Sequence, residues 1–160
     1  MIQRIQTLYS LLAVICIVVS MCNPVGRFIA SDGFAVATLY NLWMSIDLNG
    51  NITHNVYPWC TLFGIQTLTA TLLTFSIFMF NKRALQMRMV SFCMIMLACY
   101  YIIAIALIMI TNNEQGFDLF TSFKPSVWAG LPLVGIILCF LAFRGIMKDH
   151  VLVTSYARLR

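Results

Sequence analysis

Six cysteines, two histidines and five acidic residues are the side chains with which chemistry could begin in this chain of 160 residues. A thiol–disulfide enzyme of the four-helix type needs a Cys-x-x-Cys pair with a lowered thiol pKa, and the chain has none. Cys16, Cys93, Cys99 and Cys139 fall inside apolar runs, where cysteine behaves as a small hydrophobe. Cys22 and Cys60 sit near the same end of two such runs, so a single bridge or isolated redox pair is geometrically conceivable. A membrane cytochrome would place its haem ligands inside the apolar runs, but His54 and His150 both lie outside them. No His/Cys/Asp cluster has ligand spacing, and there is no phosphate-cradling glycine loop or nucleophile motif. The sequence therefore predicts no catalytic residue, no cofactor and no metal.

The apolar runs themselves dominate the chain. Hydrophobic residues make up 61% of it, charged residues 9%, and the mean hydropathy is +0.90. Soluble domains average about 25% charged residues, so much of this surface must have lipid as its solvent. A span needs about 20 apolar residues. Four are predicted, at about 5–22, 59–80, 89–110 and 127–143, in one integral-membrane domain over 1–160. A cleaved leader is the rival reading of the first, but no small-x-small site follows it. Asn23-Pro24 ends the first span, because proline removes a donor and restricts its neighbour. Pro58 opens the second, with Tyr57 and Trp59 at the position of an aromatic belt. Pro125 suits the first turn of the last helix, and Pro132 predicts a bend inside it.

The outer loops are 23–58 and 111–126. From Phe34 to Leu48 the even positions read Phe, Val, Thr, Tyr, Leu, Met, Ile, Leu, a period of two that predicts one half-buried strand. Phe34, Val36, Tyr40 and Leu42 would form its apolar face, packed on the helices or open to a partner. Asn49-Gly50 signals a hairpin. A three-residue turn over Asn49-Gly50-Asn51 would pair Leu48 with Ile52, Ile46 with His54 and Met44 with Val56, keeping apolar with apolar, and is the register expected from face pattern. Arg27 to Ala30 could add a third strand. An isolated hairpin is marginal, so a small antiparallel sheet resting on the helix ends is expected. The fold class is thus an all-α membrane bundle of four antiparallel helices with a small sheet in its first outer loop.

Within the second span Gly64, Thr67, Thr71 and Thr74 share a helical face, next to Gln66. Small and hydroxylated residues permit close helix approach, so the face reads as a packing seam or a polar path. Tyr100 and Tyr101 lie in mid-span, and their hydroxyls need partners inside the bundle or a water pocket. Coupled transporters carry intramembrane charge. None of the four spans contains Asp, Glu, Lys, Arg or His, which argues against that class.

Eight of the ten basic residues, Arg4, Lys82, Arg83, Arg88, Arg144, Lys148, Arg158 and Arg160, fall at the start, in the turn 81–88 and in the tail 144–160. Only Arg27 and Lys124 fall in the outer loops. This asymmetry puts both termini in the cytoplasm. The charges flank apolar runs rather than cluster on a soluble face, which excludes nucleic acid as a partner. The lipid bilayer is the expected partner, with Lys82, Arg83, Arg88, Arg144, Lys148, Arg158 and Arg160 as lipid or protein contacts. In the tail Leu152, Tyr156 and Leu159 share a face, which suggests an interfacial helix on anionic lipid or a docking segment.

Three segments carry a family likeness: Met1 to Thr7, Leu85 to Arg88, and the tail Arg144-Gly145-Ile146-x-Lys148-Asp149-x-x-Leu152-Val153-x-Ser155-x-x-Arg158-Leu159-Arg160. They resemble an uncharacterised family of four-span inner-membrane proteins of Bacteroidota bacteria. That family's pattern has acidic residues where His150 and Ala157 stand here. The resemblance implies a bacterial inner membrane and no particular reaction. The architecture is also similar to the claudin type, through Leu42-Trp43 in the first outer loop, although Ile46 stands where the first loop cysteine would be. The expected role is a non-enzymatic accessory or structural subunit of a larger envelope assembly. The alternative is binding or transport of a lipid-like or uncharged small molecule near Gln66, the threonine face and Tyr100/Tyr101.

Overall fold

The structure, a computed structural model, describes residues 2–29, 35–48, 51–79, 83–115 and 123–158. It contains helices α1 (Ile2–Cys22), α2 (Cys60–Phe78), α3 (Arg83–Gln115) and α4 (Leu131–Arg158), and strands β1 (Gly26–Ile29), β2 (Ala35–Leu39), β3 (Met44–Leu48), β4 (Asn51–Asn55) and β5 (Phe123–Pro125). All four helices are long and apolar enough to cross a membrane. Each packs on two neighbours: α1 on α2 and α4, and α3 on α2 and α4. The ends meet head to tail, since Gly145 of α4 lies against Gln6 of α1 and Gln66 of α2 reaches Ser20 of α1.

The helices fill two buried clusters. At the sheet end, Val25, Phe28, Ala37, Leu39, Met44 and Ile46 from the strands pack with Trp59, Leu62, Tyr100 and Ala104. Further along the bundle, Ala13, Ile17, Leu73, Val90, Cys93, Leu97, Cys139 and Ile146 form the second. The expected sheet is present and rests on the helices as predicted, but it is larger than the sequence suggested: five antiparallel strands in the order β4-β3-β2-β1-β5.

Several expectations are corrected. The run from Phe34 to Leu48 is two strands, not one. A tight turn at Tyr40–Trp43, closed by Tyr40 N–H on the Trp43 carbonyl at 2.9 Å, separates β2 from β3. The buried positions switch parity across it, from Ala37 and Leu39 to Met44 and Ile46, while Tyr40 and Leu42 are only half-buried. Phe34 lies outside the described residues. The β3–β4 register is that of a two-residue turn, with Leu48 opposite Asn51, Ile46 opposite Thr53 and Met44 opposite Asn55. Face matching had no force there, because Thr53, His54 and Asn55 on the edge strand are all exposed, and Asn-Gly favours the shorter turn. Residues 49 and 50 themselves lie outside the described residues.

The helix ends differ too. Trp59 does not sit in an aromatic belt; it is 2% exposed, against 82% for Tyr57. Pro125 belongs to β5, opposite Gly26, at a sheet edge where a missing N–H is tolerated. Pro132 lies in the first turn of α4, after a 3-10 turn at Val127–Gly130, so it interrupts no helix. The turn 81–88 is already helical from Arg83. The tail continues α4 as far as Arg158 instead of forming a separate interfacial helix. Cys22 and Cys60 are both free thiols.

Candidate functional site

Polar side chains buried among apolar ones are the informative feature of this molecule, because each must be paired or costs free energy. The principal group lies under the sheet. The turn between β2 and β3 carries Asn41 into the bundle, where it is 0% exposed. Its Nδ2 donates to the Ser20 carbonyl at 2.9 Å, near the C-terminus of α1. Its Oδ1 accepts from the Tyr100 hydroxyl at 2.8 Å. Gln66 Nε2 donates to Ser20 Oγ at 3.4 Å, leaving Gln66 Oε1 buried with no partner among the described residues. The network ties α1, α2, α3 and the β2–β3 turn together at one point. A helix C-terminus leaves carbonyls unsatisfied. Asn41 caps one of them from a distant turn, and Asn23 Nδ2, just past the helix end, caps the Val19 carbonyl at 2.7 Å.

Tyr101, ring against ring with Tyr100 at 5.3 Å, donates to the Ala129 carbonyl at 2.7 Å. That carbonyl belongs to the 3-10 turn before α4. Both tyrosine hydroxyls thus have the protein partners their mid-span position demands.

The remaining residues singled out by sequence separate into two sets. Gly64, Thr67, Thr71 and Thr74 are all exposed, so this face does not pack against the other three helices. Each threonine hydroxyl donates into its own helix, to the carbonyls of Phe63, Leu68 and Ala70 respectively. A Cβ placed on Gly64 would meet nothing within 4 Å. The inward face of α2 is instead Leu62, Gln66, Thr69, Leu73 and Ser76. Gln66 and Tyr100 therefore face in while the threonine face looks out. Of the basic residues, Arg88, Arg144 and Lys148 are exposed towards the end of the bundle away from the sheet. Arg83 opens α3 and Arg158 closes α4. Lys82 and Arg160 lie outside the described residues.

Sequence reasoning missed Asn41, Ser20, Ser76, Gln6 and Gln86, all buried. The signal for Asn41 was a lone amide within an otherwise apolar loop segment. At the far end Gln6 Nε2 and Ser76 Oγ are buried without partners among the described residues. Among those residues no three His, Cys, Asp or Glu side chains come together as a metal site would require.

Four long apolar helices, a polar network sealed beneath a small sheet and basic residues at the opposite end define a bundle compatible with a membrane protein. The chain belongs to a family described as a domain of unknown function, DUF4293, whose model matches residues 2–159. No curated protein matches it.

Proposed function

We propose that the chain is an inner-membrane protein with both termini in the cytoplasm, acting as a non-enzymatic accessory or structural subunit of a larger envelope assembly. The observation that carries this reading is the outward face of α2. Gly64, Thr67, Thr71 and Thr74 recur at intervals of three and four residues, all exposed, with every hydroxyl already satisfied inside the helix. In lipid such a face gains little from remaining bare, whereas small residues let a second helix approach closely. The cytoplasmic placement of both termini is supported by the distribution of Arg and Lys.

The test is purification of the tagged native chain in mild detergent, beside Gly64→Leu and Thr67→Leu. Discrete proteins should accompany the wild type in fixed ratio. Both variants should retain them at least about tenfold less well, a difference of about 1.4 kcal/mol, while melting at the same temperature. Equal recovery from wild type and variants, or no companion at all, defeats the proposal.

A second reading, binding of an uncharged small molecule inside the bundle, draws on the unpartnered Gln66 Oε1, which a ligand N–H or O–H would satisfy. Gln66→Leu should then abolish ligand recovery. A more stable variant with an unchanged small-molecule profile ends that reading.

A further inference from the structure

Past Phe143, α4 carries a stripe in which cationic and apolar side chains alternate. Arg144, Met147, Lys148 and Val151 follow at i, i+3, i+4 and i+7, which places them on one helical face. That face points away from the bundle, since Gly135, Cys139, Ala142 and Ile146 of this helix are buried, and all four stripe residues are exposed. They line an open groove of about 530 Å³ whose walls are almost wholly apolar. Among the described residues that line it, two are cations. Their share of the wall is made by Met147, Val151 and the aliphatic stems of Arg144 and Lys148, with the charged heads at the rim. Asp149, one position beyond Lys148 and about 100° round the helix, is half-buried and belongs to a different face.

We propose that this groove is a binding site for one anionic phospholipid from the adjoining leaflet, its phosphate held between Arg144 and Lys148 and an acyl chain lying along Met147 and Val151. Charge and polarity together select this occupant. A guanidinium and an ammonium one helical turn apart suit a phosphate, which arginine grips with two parallel N–H donors. The apolar wall beneath suits a hydrocarbon tail. A soluble anion would use the rim and leave the wall bare, and a zwitterionic lipid would bring its own cation to two positive heads. The inference rests on the chain being membrane-embedded, but not on its role as a subunit or on which side of the membrane this end faces.

The full chain, purified in neutral detergent, is titrated with phosphatidylglycerol, phosphatidylcholine and inorganic phosphate, reading melting temperature and lipid retained in native mass spectra. Phosphatidylglycerol should raise the melting temperature and remain bound. The pair Arg144→Gln/Lys148→Gln should weaken it at least about tenfold, and Val151→Glu should do the same by placing an anion on the tail's seat. Lys124→Gln, which removes an exposed cation from β5 at the sheet end, should leave retention unchanged. Equal retention by the double variant, equal protection by phosphatidylcholine or by phosphate, or equal loss in Lys124→Gln overturns the site. Alkaline carbonate extraction of the source membranes separates the two levels. A chain released by carbonate removes the membrane reading and this site with it, whereas a retained chain indifferent to phosphatidylglycerol removes the site alone.

Discussion

The hydroxyl of Tyr100 on α3 donates to Oδ1 of Asn41, 59 residues earlier in the chain, at 2.8 Å in a fully buried setting. This one bond joins the loop sheet to the centre of the bundle. Tyr100 belongs to a buried cluster with Trp59, Leu62 and Ala104, so the bond is made inside protein. Tyr100→Phe leaves Asn41 Oδ1 without its donor and should cost about 1–3 kcal/mol. Asn41→Leu also leaves the Ser20 carbonyl with only the longer bond from the Asn23 N–H at 3.4 Å and should cost at least as much. The double variant should fall short of the sum of the two, because the bond is removed once. Thermal melts in detergent read this; full additivity would show the bond to be energetically idle.

The contact between β1 and β5 depends on the absence of a side chain. A Cβ on Gly26 would stand 2.5 Å from the Phe123 ring and 3.0 Å from the Lys124 carbonyl oxygen, and the Phe123 ring also leans on Phe28 at 5.0 Å. Gly26→Ala should push β5 off the sheet at a cost of about 1–3 kcal/mol. Hydrogen exchange at Phe123 and Lys124 should rise with it. Phe123→Ala should restore tolerance of Gly26→Ala but forfeit the ring contact. Unchanged exchange in Gly26→Ala would mean that the strand accommodates the methyl.

At the other end of the bundle, α1 and α4 meet at Gln6 and Gly145. A Cβ on Gly145 would lie 2.9 Å from Gln6 Cγ, and Gln6 Nε2 is one of the buried donors without a partner. Gln6→Met keeps the volume and removes the stranded amide, so it should raise stability by about 1 kcal/mol or more. Gly145→Ala should lower stability in the wild type and do so less in a Gln6→Ala background. A loss of stability in Gln6→Met would reveal that the amide is satisfied in the membrane, for instance by water.

The four helices were legible because hydropathy and charge act over whole spans, and a few misplaced residues at either end do not change the sum. Proline was less informative than its rules suggest. Pro125 and Pro132 both sit where a lost N–H costs little, one at a sheet edge and one in a first helical turn, and the sequence does not separate these from a cap or a kink. The strands failed on parity. From residue 34 to 48 the apolar residues keep their period of two through a turn that contains neither glycine nor proline, so the hairpin was invisible and the inferred face was reversed at Ala37 and Leu39. On β4 there was no buried face to fix the register, which left the turn chemistry to decide it. The outward placement of the threonine face of α2 was hidden for a different reason. Two stripes on that helix, Gly64/Thr67/Thr71/Thr74 and Leu62/Gln66/Thr69/Leu73/Ser76, have the same spacing. Threonine can quench its own hydroxyl on the backbone behind it and face outward at little cost, whereas Gln66 cannot reach back in this way and goes inside. Thr69 on the inward stripe makes the same bond, to the Ile65 carbonyl at 2.7 Å, so the hydroxyls alone do not sort the two.

The helix that leaves the last span does not stop at its basic residues. From Arg144 to Arg158 it adds about 22 Å of unbroken α-helix, stiff where a coil of equal length would wander. Whatever meets its tip is held at a set distance and azimuth from the four-helix body, so a rotation of the last helix within the bundle would be delivered there as a swing of the contact point. Inserting a single alanine after Val151 would turn that tip by about 100° without shortening the arm.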